Sequence, residues 1–520
     1  MKIEPLAPLD ATFLSLETPT MPLHVVAVAI VAPGPDGLGV DQVRRLVADR
    51  MHRMPKLGRR VMKMPFGIEH PVWVDQPDPD LSHHVRRACL APPGAMAELS
   101  EFVGEFAGIP LQPDLPLWEL VVVEGLHGGH VALVVKVHHS VFDGVSGIAA
   151  LAGLFDPYPP GAVVAGDRSS PSVVPLGSEA DASGRTDVPS PLDLLTVALR
   201  RWSQRPLAMV DVVATTYLTA RQMATASQAN ADLAGHRADP MPFRVPRAPW
   251  NGTISGRRIC AVVDVPLDDL RAVGRSVGAT VNDVVLAGVG GALRTLLVER
   301  GAQCSTGPDD ASLVAVVPIS MHPQGQPSSV RDAAIGEDHT AGGDAAGADP
   351  AGNRVSAMIL SLATDVDDAV DRLRIVAERS RQAKRRSATV GEQLVTGWAE
   401  MAVPALATRV ARLASNLRVF DHLPPAGNVV VSNVVGPVST LWCGGGQVQS
   451  LYPFGPVADG VGLNISVVSY RSVLSIGLVG CRDRIPDLAE LARYLAESLA
   501  ELGKRTSDLR LRRSGAASRR

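Results

Sequence analysis

The chain has 520 residues and a formal net charge of −3, with 50 Lys and Arg against 53 Asp and Glu, a balance that gives nucleic acid no bulk electrostatic hold. An apolar content of 46% is enough for two sizeable cores, and a chain of this length calls for more than one domain. The five cysteines (Cys89, Cys260, Cys304, Cys443, Cys481) are scattered without a CxxC pair, which excludes a disulfide framework and fits a reducing cytoplasm.

The first ten residues lack the basic and apolar regions of a signal peptide, and no stretch reads as the roughly 20 apolar residues of a spanning helix. The expectation is a cytoplasmic protein, at most peripheral to the inner face of the cell membrane or to a lipid droplet. Residues 9–17 have helical spacing with Asp10 near the start; Pro19 and Pro22 end the helix, and 23–32 reads as a strand. On the residues alone, Glu17 and His24 are polar groups at a core edge. Helical spacing returns at 40–53, a strand at 71–75, and a helix at 95–109. His83 and His84 lie among Ser, Asp and Arg and read as solvated or structural. A strand at 115–125, with Trp118 as an aromatic core anchor, turns through His127, Gly128, Gly129 and His130 into a second strand.

That second strand carries the chemistry. Its β-branched run from Val131 ends in His138 and His139, and Asp143 and Gly144 follow at a sharp change of direction. Side chains alternate across a strand, so the two imidazoles diverge and at most one serves a given pocket. A plain core strand would desolvate two titratable rings for no return. A metal site lacks a completing ligand set, so no metal is expected. General base catalysis suits an imidazole whose pKa lies near neutrality. Residues 145–154 have the pattern of a helix that would bring its N-terminal amides to the turn.

Residues 157–190, rich in Pro, Gly, Ser, Ala and Asp, read as a disordered linker, and 191–250 as a helical connection interrupted at Pro206. In the second half, 259–265 reads as a strand, with helices at 267–277 and 280–293. Asp283 there suits capping, with Asn282 beside it. A strand at 313–322 runs into a Gly/Asp/Ala-rich insertion, 323–349, that reads as disordered. Helices at 369–387 and 396–417 precede a strand and turn at 428–437 that hold Ser432 and Asn433. Residues 463–470 and 474–481 form a hairpin, and 486–502 a closing helix. The tail, 504–520, has seven basic residues against Asp508 alone, a solvated tail that would also suit anionic lipid.

His138-His139-Ser140-Val141-Phe142-Asp143-Gly144 matches the HHxxxDG motif shared by acyl-CoA-dependent and carrier-dependent acyltransferases. Other blocks narrow the branch: Pro8 to Glu17 followed by Met21-Pro22-Leu23-His24, then Pro116-Leu117-Trp118, Asn251 to Arg258, Asn282-Asp283 and Ser432 to Pro437. In this order the chain resembles the bacterial wax ester synthase/diacylglycerol acyltransferase family over nearly its whole length. The resemblance implies an α/β fold of two chloramphenicol-acetyltransferase-like domains with mixed sheets, at 1–156 and 251–503, and a substrate tunnel between them. It implies an O-acyltransferase with no bound cofactor, using acyl-CoA as co-substrate and diacylglycerol, or a long-chain alcohol, as acceptor. His139 would be the general base and His138 its support, while Asp143 and Gly144 orient the loop. Asn282, Ser432 and Asn433 are candidate substrate or oxyanion contacts. His322 stands where the family carries an Arg, and Val435 where it carries a Pro. A carrier-dependent condensation or polyketide-associated acyltransferase shares the motif, and a lipid-binding paralogue without turnover would keep the tunnel. The block order and the intact His139 and Asp143 favour the acyl-CoA-dependent enzyme over both.

Overall fold

The computed structural model describes residues 3–65, 69–76, 79–141, 153–159, 245–301, 312–320, 355–390 and 404–517. Asp143, Gly144, His322, the helix expected at 145–154 (all but 153 and 154), nearly all of the 157–190 linker and 191–250 connection, and the 323–349 insertion lie outside them. In chain order the first half gives β1 (Ile3–Pro5), α1 (Pro8–Leu16), β2 (His24–Ala32), α2 (Val40–Arg50), β3 (Arg59–Met62), β4 (Val72–Asp75), β5 (Val85–Cys89), α3 (Met96–Gly108), β6 (Trp118–Glu124) and β7 (Val131–His138). The second half gives β8 (Arg258–Pro266), α4 (Leu267–Val277), α5 (Val281–Glu299), β9 (Val314–Ser320), β10 (Val355–Ser361), α6 (Ala369–Val390) and α7 (Pro404–Asn416). It closes with β11 (Val429–Val434), β12 (Trp442–Cys443), β13 (Gly446–Phe454), β14 (Leu463–Tyr470), β15 (Val473–Cys481) and α8 (Leu488–Ala517).

Two six-stranded mixed sheets, β12-β13-β2-β7-β6-β5 and β10-β9-β11-β14-β15-β8, carry the architecture beside a small β1-β4-β3 sheet. β7 lies between β2 and β6 and is buried at all eight positions, which is why its sequence is apolar almost without alternation. Sheet membership does not follow the sequence boundary at 251, because β12 and β13 from the second half join the first half's sheet. β13 runs antiparallel to β2, from Gln447 opposite Ala32 to Phe454 opposite Val26. Without it, β2 would be an open edge of Val and Ala. Its bulge between Val448 and Ser450 and its Pro453 blur the strand alternation, so this segment was not legible as a strand.

α3 wedges between the sheets. Leu99, Val103 and Phe106 share one core with Val26 and Val28 of the first sheet and Cys260 and Val479 of the second. The approach is close enough to need glycine: a Cβ at Gly104 would lie 3.0 Å from the Arg258 carbonyl oxygen, and one at Gly108 would collide with that of Gly256.

Two expectations are corrected in the second half. α5 is long and apolar enough to cross a membrane, contrary to the reading that no stretch qualifies, yet 72% of its apolar 18-residue stretch is buried, and it packs in the core of the second sheet. Its start is closed by reciprocal bonds between Thr280 and Asp283, the capping expected of Asp283. The closing helix does not stop at 502. Leu488, Leu491, Leu495, Leu499, Leu502 and then Thr506 are buried at helical spacing, so packing carries α8 past 502, and the helix runs on to Ala517.

Candidate active site

The site is built where three elements end together. α1 stops at Glu17, whose backbone turns extended (φ −63°, ψ 133°) before the chain enters β2. β2 pairs antiparallel with β7 so that His24 stands directly opposite His138. One carboxylate then meets both rings: Glu17 Oε1 is 3.1 Å from His24 Nε2, and Glu17 Oε2 is 3.6 Å from His138 Nε2. The Leu23 amide also donates to Glu17 Oε1 at 3.3 Å. The two imidazoles lie edge to face with centroids 5.7 Å apart.

Past His138 the chain turns at once. The His139 amide donates to the Leu23 carbonyl at 3.0 Å, and the Val141 amide returns to the His138 carbonyl at 2.9 Å. His138 Nδ1 lies 2.7 Å from Ser140 Oγ and accepts from the Ser140 amide at 3.1 Å. Nδ1 thus serves as acceptor, and the proton of a neutral His138 sits on Nε2, facing Glu17. His139, the first residue past β7, has a different neighbour. Its half-buried ring packs on Phe13 of α1, with centroids 4.3 Å apart and planes inclined by 33°.

Burial sorts these groups electrically. His138 is 1% exposed, and desolvation, opposed only in part by the Glu17 charge, pushes its pKa down to about 3. Desolvation lowers that of His24 as well, against the hydrogen bond and charge of Glu17. Burial alone would raise the Glu17 carboxyl, but the His24 bond, the two nearby rings and the Leu23 amide together hold it below the usual carboxylate range. The 3.1 Å contact fixes the His24 tautomer with Nε2–H donating to Glu17; the Leu111 amide, 3.5 Å from the same nitrogen, is a contact and not a second bond.

Lys136, two residues before His138 on the same face of β7, is wholly buried. Its ammonium donates to the Phe106 and Ile109 carbonyls at 3.2 and 2.9 Å, pairs with Glu119 at 3.2 Å and lies 4.0 Å from the centre of the Phe106 ring. It thereby caps the C-terminal end of α3 and ties the wedge to the histidine strand. Desolvation lowers its pKa despite Glu119. On the opposite face of β7, Val135 and Val137 line a small, entirely apolar cavity with Met54, Leu57, Trp118 and Leu154.

Of the residues singled out from sequence, His138, His139 and Ser140 are brought together in one turn; Asp143 and Gly144 lie beyond the described residues. Asn282 and Asn433 meet each other in the second half, with Asn433 Nδ2 3.4 Å from Asn282 Oδ1, and the half-buried Ser432 stands opposite Ser466. Among the described residues no hydrogen bond joins this pair to the histidine turn. Trp118 is the expected core anchor, its indole N–H donating to the Leu57 carbonyl at 2.9 Å. His84 is structural: buried, stacked on Trp118 and bonded to the Trp118 carbonyl oxygen at 2.8 Å. Sequence reasoning undervalued Glu17 and His24, whose only signal was their place in a family block. It also missed Lys136, although a lysine inside an unbroken apolar strand is itself a signal. The Ser140 hydroxyl, next to His139 in the chain, is committed to the other histidine, His138.

Comparison with known proteins identifies the family and the fold. The sequence profile of the wax ester synthase/diacylglycerol acyltransferase catalytic domain matches residues 6–285, and that of the WS/DGAT C-terminal domain matches 351–503. A putative diacylglycerol O-acyltransferase of Mycobacterium tuberculosis is 30% identical over 503 residues, covering 96% of this chain and 90% of its own. The probable diacylglycerol O-acyltransferase tgs2 of the same species is 32% identical over 499 residues, covering 95% and 98%. Among solved structures, the wax ester synthase/diacylglycerol acyltransferase from Marinobacter aquaeolei VT8 superposes with a TM-score of 0.59 at 26% identity, over 97% of this chain and 100% of that one. The starter condensation domain of rhizomide synthetase, at 10% identity and a TM-score of 0.51, shares the fold alone. The chain is an acyltransferase with the α/β fold of this group, and it belongs to the wax ester synthase/diacylglycerol acyltransferase family.

Proposed function

We propose that the protein transfers an acyl group from acyl-CoA to the free hydroxyl of diacylglycerol, giving triacylglycerol and free CoA, with a long-chain alcohol as an alternative acceptor that gives a wax ester. The observation that carries the mechanism is the unequal environment of the two histidines. His138 is sealed in, held neutral and bonded through Nδ1 to Ser140 with Glu17 3.6 Å from its Nε2, whereas His139 is half-buried on Phe13. His139 is therefore the general base. It removes the proton of the acceptor hydroxyl as that oxygen attacks the thioester carbonyl carbon, and a tetrahedral oxyanion forms. The oxyanion collapses, the C–S bond breaks, and the imidazolium returns its proton to the departing CoA sulfur. Holding both substrates at one base supplies the proximity the reaction needs without an acyl-enzyme. Asp143 and Gly144 shape the loop after the turn, and Asn282, Asn433 and Ser432 are the candidate donors to the oxyanion. The functional units are 1–156 and 251–503, with β12 and β13 shared across them, and the acceptor is met at the surface of a membrane or lipid droplet.

One contact favours a second reading. Ser140 Oγ, His138 and Glu17 follow one another at 2.7 and 3.6 Å, in the order of a nucleophile, a base and its carboxylate. Against it, Ser140 is 3% exposed and a histidine with a pKa near 3 is a poor base at neutral pH. Incubating the protein with acyl-CoA and diacylglycerol, with a long-chain alcohol, with an acyl-carrier protein substrate and with no acceptor separates the cases. Triacylglycerol from diacylglycerol with stoichiometric CoA release is expected. Transfer only from the carrier protein, or an acyl group trapped on Ser140 in the absence of acceptor, would overturn the reading.

A further inference from the structure

α7 (Pro404–Asn416) is amphipathic in the inverse sense for a helix on a water-soluble surface. It packs against α1, and among its described side chains the covered ones are small: Thr408 and Ala411 are half-buried and Ser415 is buried. The large apolar side chains described from 408 on face away. Val410 is 56% exposed, Leu413 58% and Leu417, just past the helix end, 64%. At about 100° per residue these three span an arc of roughly 60°. Leu423, 50% exposed, follows after the next turn. The chain from 404 to 420 carries Arg409, Arg412 and Arg418 and no acidic residue. Arg418 is paired with Asp421 at 2.7 Å, while Arg409 and Arg412 are exposed and without an ion-pair partner among the described residues.

We propose that this outward face of α7 docks the protein on an anionic lipid bilayer, with Val410, Leu413 and Leu417 entering the acyl boundary and Arg409 and Arg412 meeting the headgroups. The proposal rests on the reading that the acceptor is a membrane-borne lipid and names the surface through which it is reached. An apolar row exposed to water is unfavourable unless an apolar phase covers it, and flanking cations select a cover with a negative rim. A second copy of the chain on the same face would bring like-charged arginines together, which disfavours that occupant. Position supports the bilayer too. α7 lies on α1, and α1 carries the Phe13 that packs on His139, so the docking face stands one helix away from the proposed base.

The test is vesicle flotation of the full-length protein with phosphatidylcholine alone and with phosphatidylcholine–phosphatidylglycerol. The unaltered protein should float with the mixed vesicles and be partly released by salt. Leu413→Glu/Leu417→Glu should lower its partition coefficient by roughly tenfold or more. Arg409→Gln/Arg412→Gln should lower it several-fold on mixed vesicles only. Both variants should keep the melting temperature and the CoA release seen with a short-chain acyl-CoA and a water-soluble alcohol. Vesicle binding unchanged in either pair overturns the proposal, as does a dimer in solution that the glutamate pair splits while vesicle binding persists. Should the glutamate pair fail to fold, Leu413→Ser/Leu417→Ser takes its place under the same criterion. Docking as expected without triacylglycerol formation would leave the surface standing and refute the proposed reaction. Triacylglycerol formation from detergent-dispersed diacylglycerol without docking would do the reverse.

Discussion

Glu17→Gln is the substitution that most sharply tests how the histidine turn is held. The glutamine oxygen can keep the bonds from His24 and Leu23 at 3.1 and 3.3 Å, but each falls from a bond to a charged group to a neutral one, a loss of about 1 kcal/mol apiece. The amide nitrogen replaces Oε2 and sets a donor against His138 Nε2–H, which stood 3.6 Å from a carboxylate. His138 cannot move its proton to Nδ1 without cost, since the Ser140 amide donates to that nitrogen at 3.1 Å and would be set against a second donor. Relief from burying a charge offsets part of the loss. The net expectation is roughly 1–3 kcal/mol of destabilisation. His139 lies between His138 and Ser140 in the chain, so a loosened clamp misplaces its ring. Turnover should fall by roughly tenfold to a hundredfold with little change in KM for acyl-CoA. Thermal unfolding and the rate of CoA thiol release measure the two effects. A Glu17→Gln protein with the original melting temperature and kcat would show that the carboxylate does not hold the turn.

Acid stability follows from the same cluster. His138 is held at about 3 in the folded state against an ordinary 6.5, so between those values only the unfolded chain takes up a proton. Stability is complete above about pH 6.5 and falls as the pH drops towards 3, by roughly 2 kcal/mol at pH 5 from this group alone. His24, also lowered, adds a loss of the same sign, and the lowered Glu17 adds its own below its ordinary 4.5. The melting temperature should therefore fall between pH 7 and pH 5, and less so in His138→Asn; equal melting at the two pH values would contradict the burial argument. Lys136→Met should destabilise the protein by about 2–4 kcal/mol, because the α3 carbonyls lose their cap and Glu119 is left with Arg86 alone at 2.9 Å. Denaturant unfolding unchanged in that variant would refute the capping role.

Much of this was legible in the residues. β7 announced itself by a run of apolar residues that ends in the two histidines. The capping role of Asp283 and the Trp118 anchor followed from residue type and position, while the Thr280 partner of Asp283 did not. What escaped reading depended on partners far away in sequence. β13 is a strand because β2 needs a neighbour, and its own bulge and proline hide the fact. Glu17 gains meaning only when the β2–β7 register sets His24 opposite His138. The closing helix runs past Leu502 because Thr506 continues a buried row that charge composition does not display.

The account's central claim is that His139 is the base for direct transfer, and the measurement closest to it is single-turnover acyl transfer by His139→Ala, followed as CoA release and triacylglycerol formation. The account predicts a loss of roughly 10²–10⁴-fold in rate with melting unchanged and no acyl group left on the protein. Transfer by His139→Ala within a few-fold of the original rate, or a kinetically competent acyl-Ser140, would contradict it.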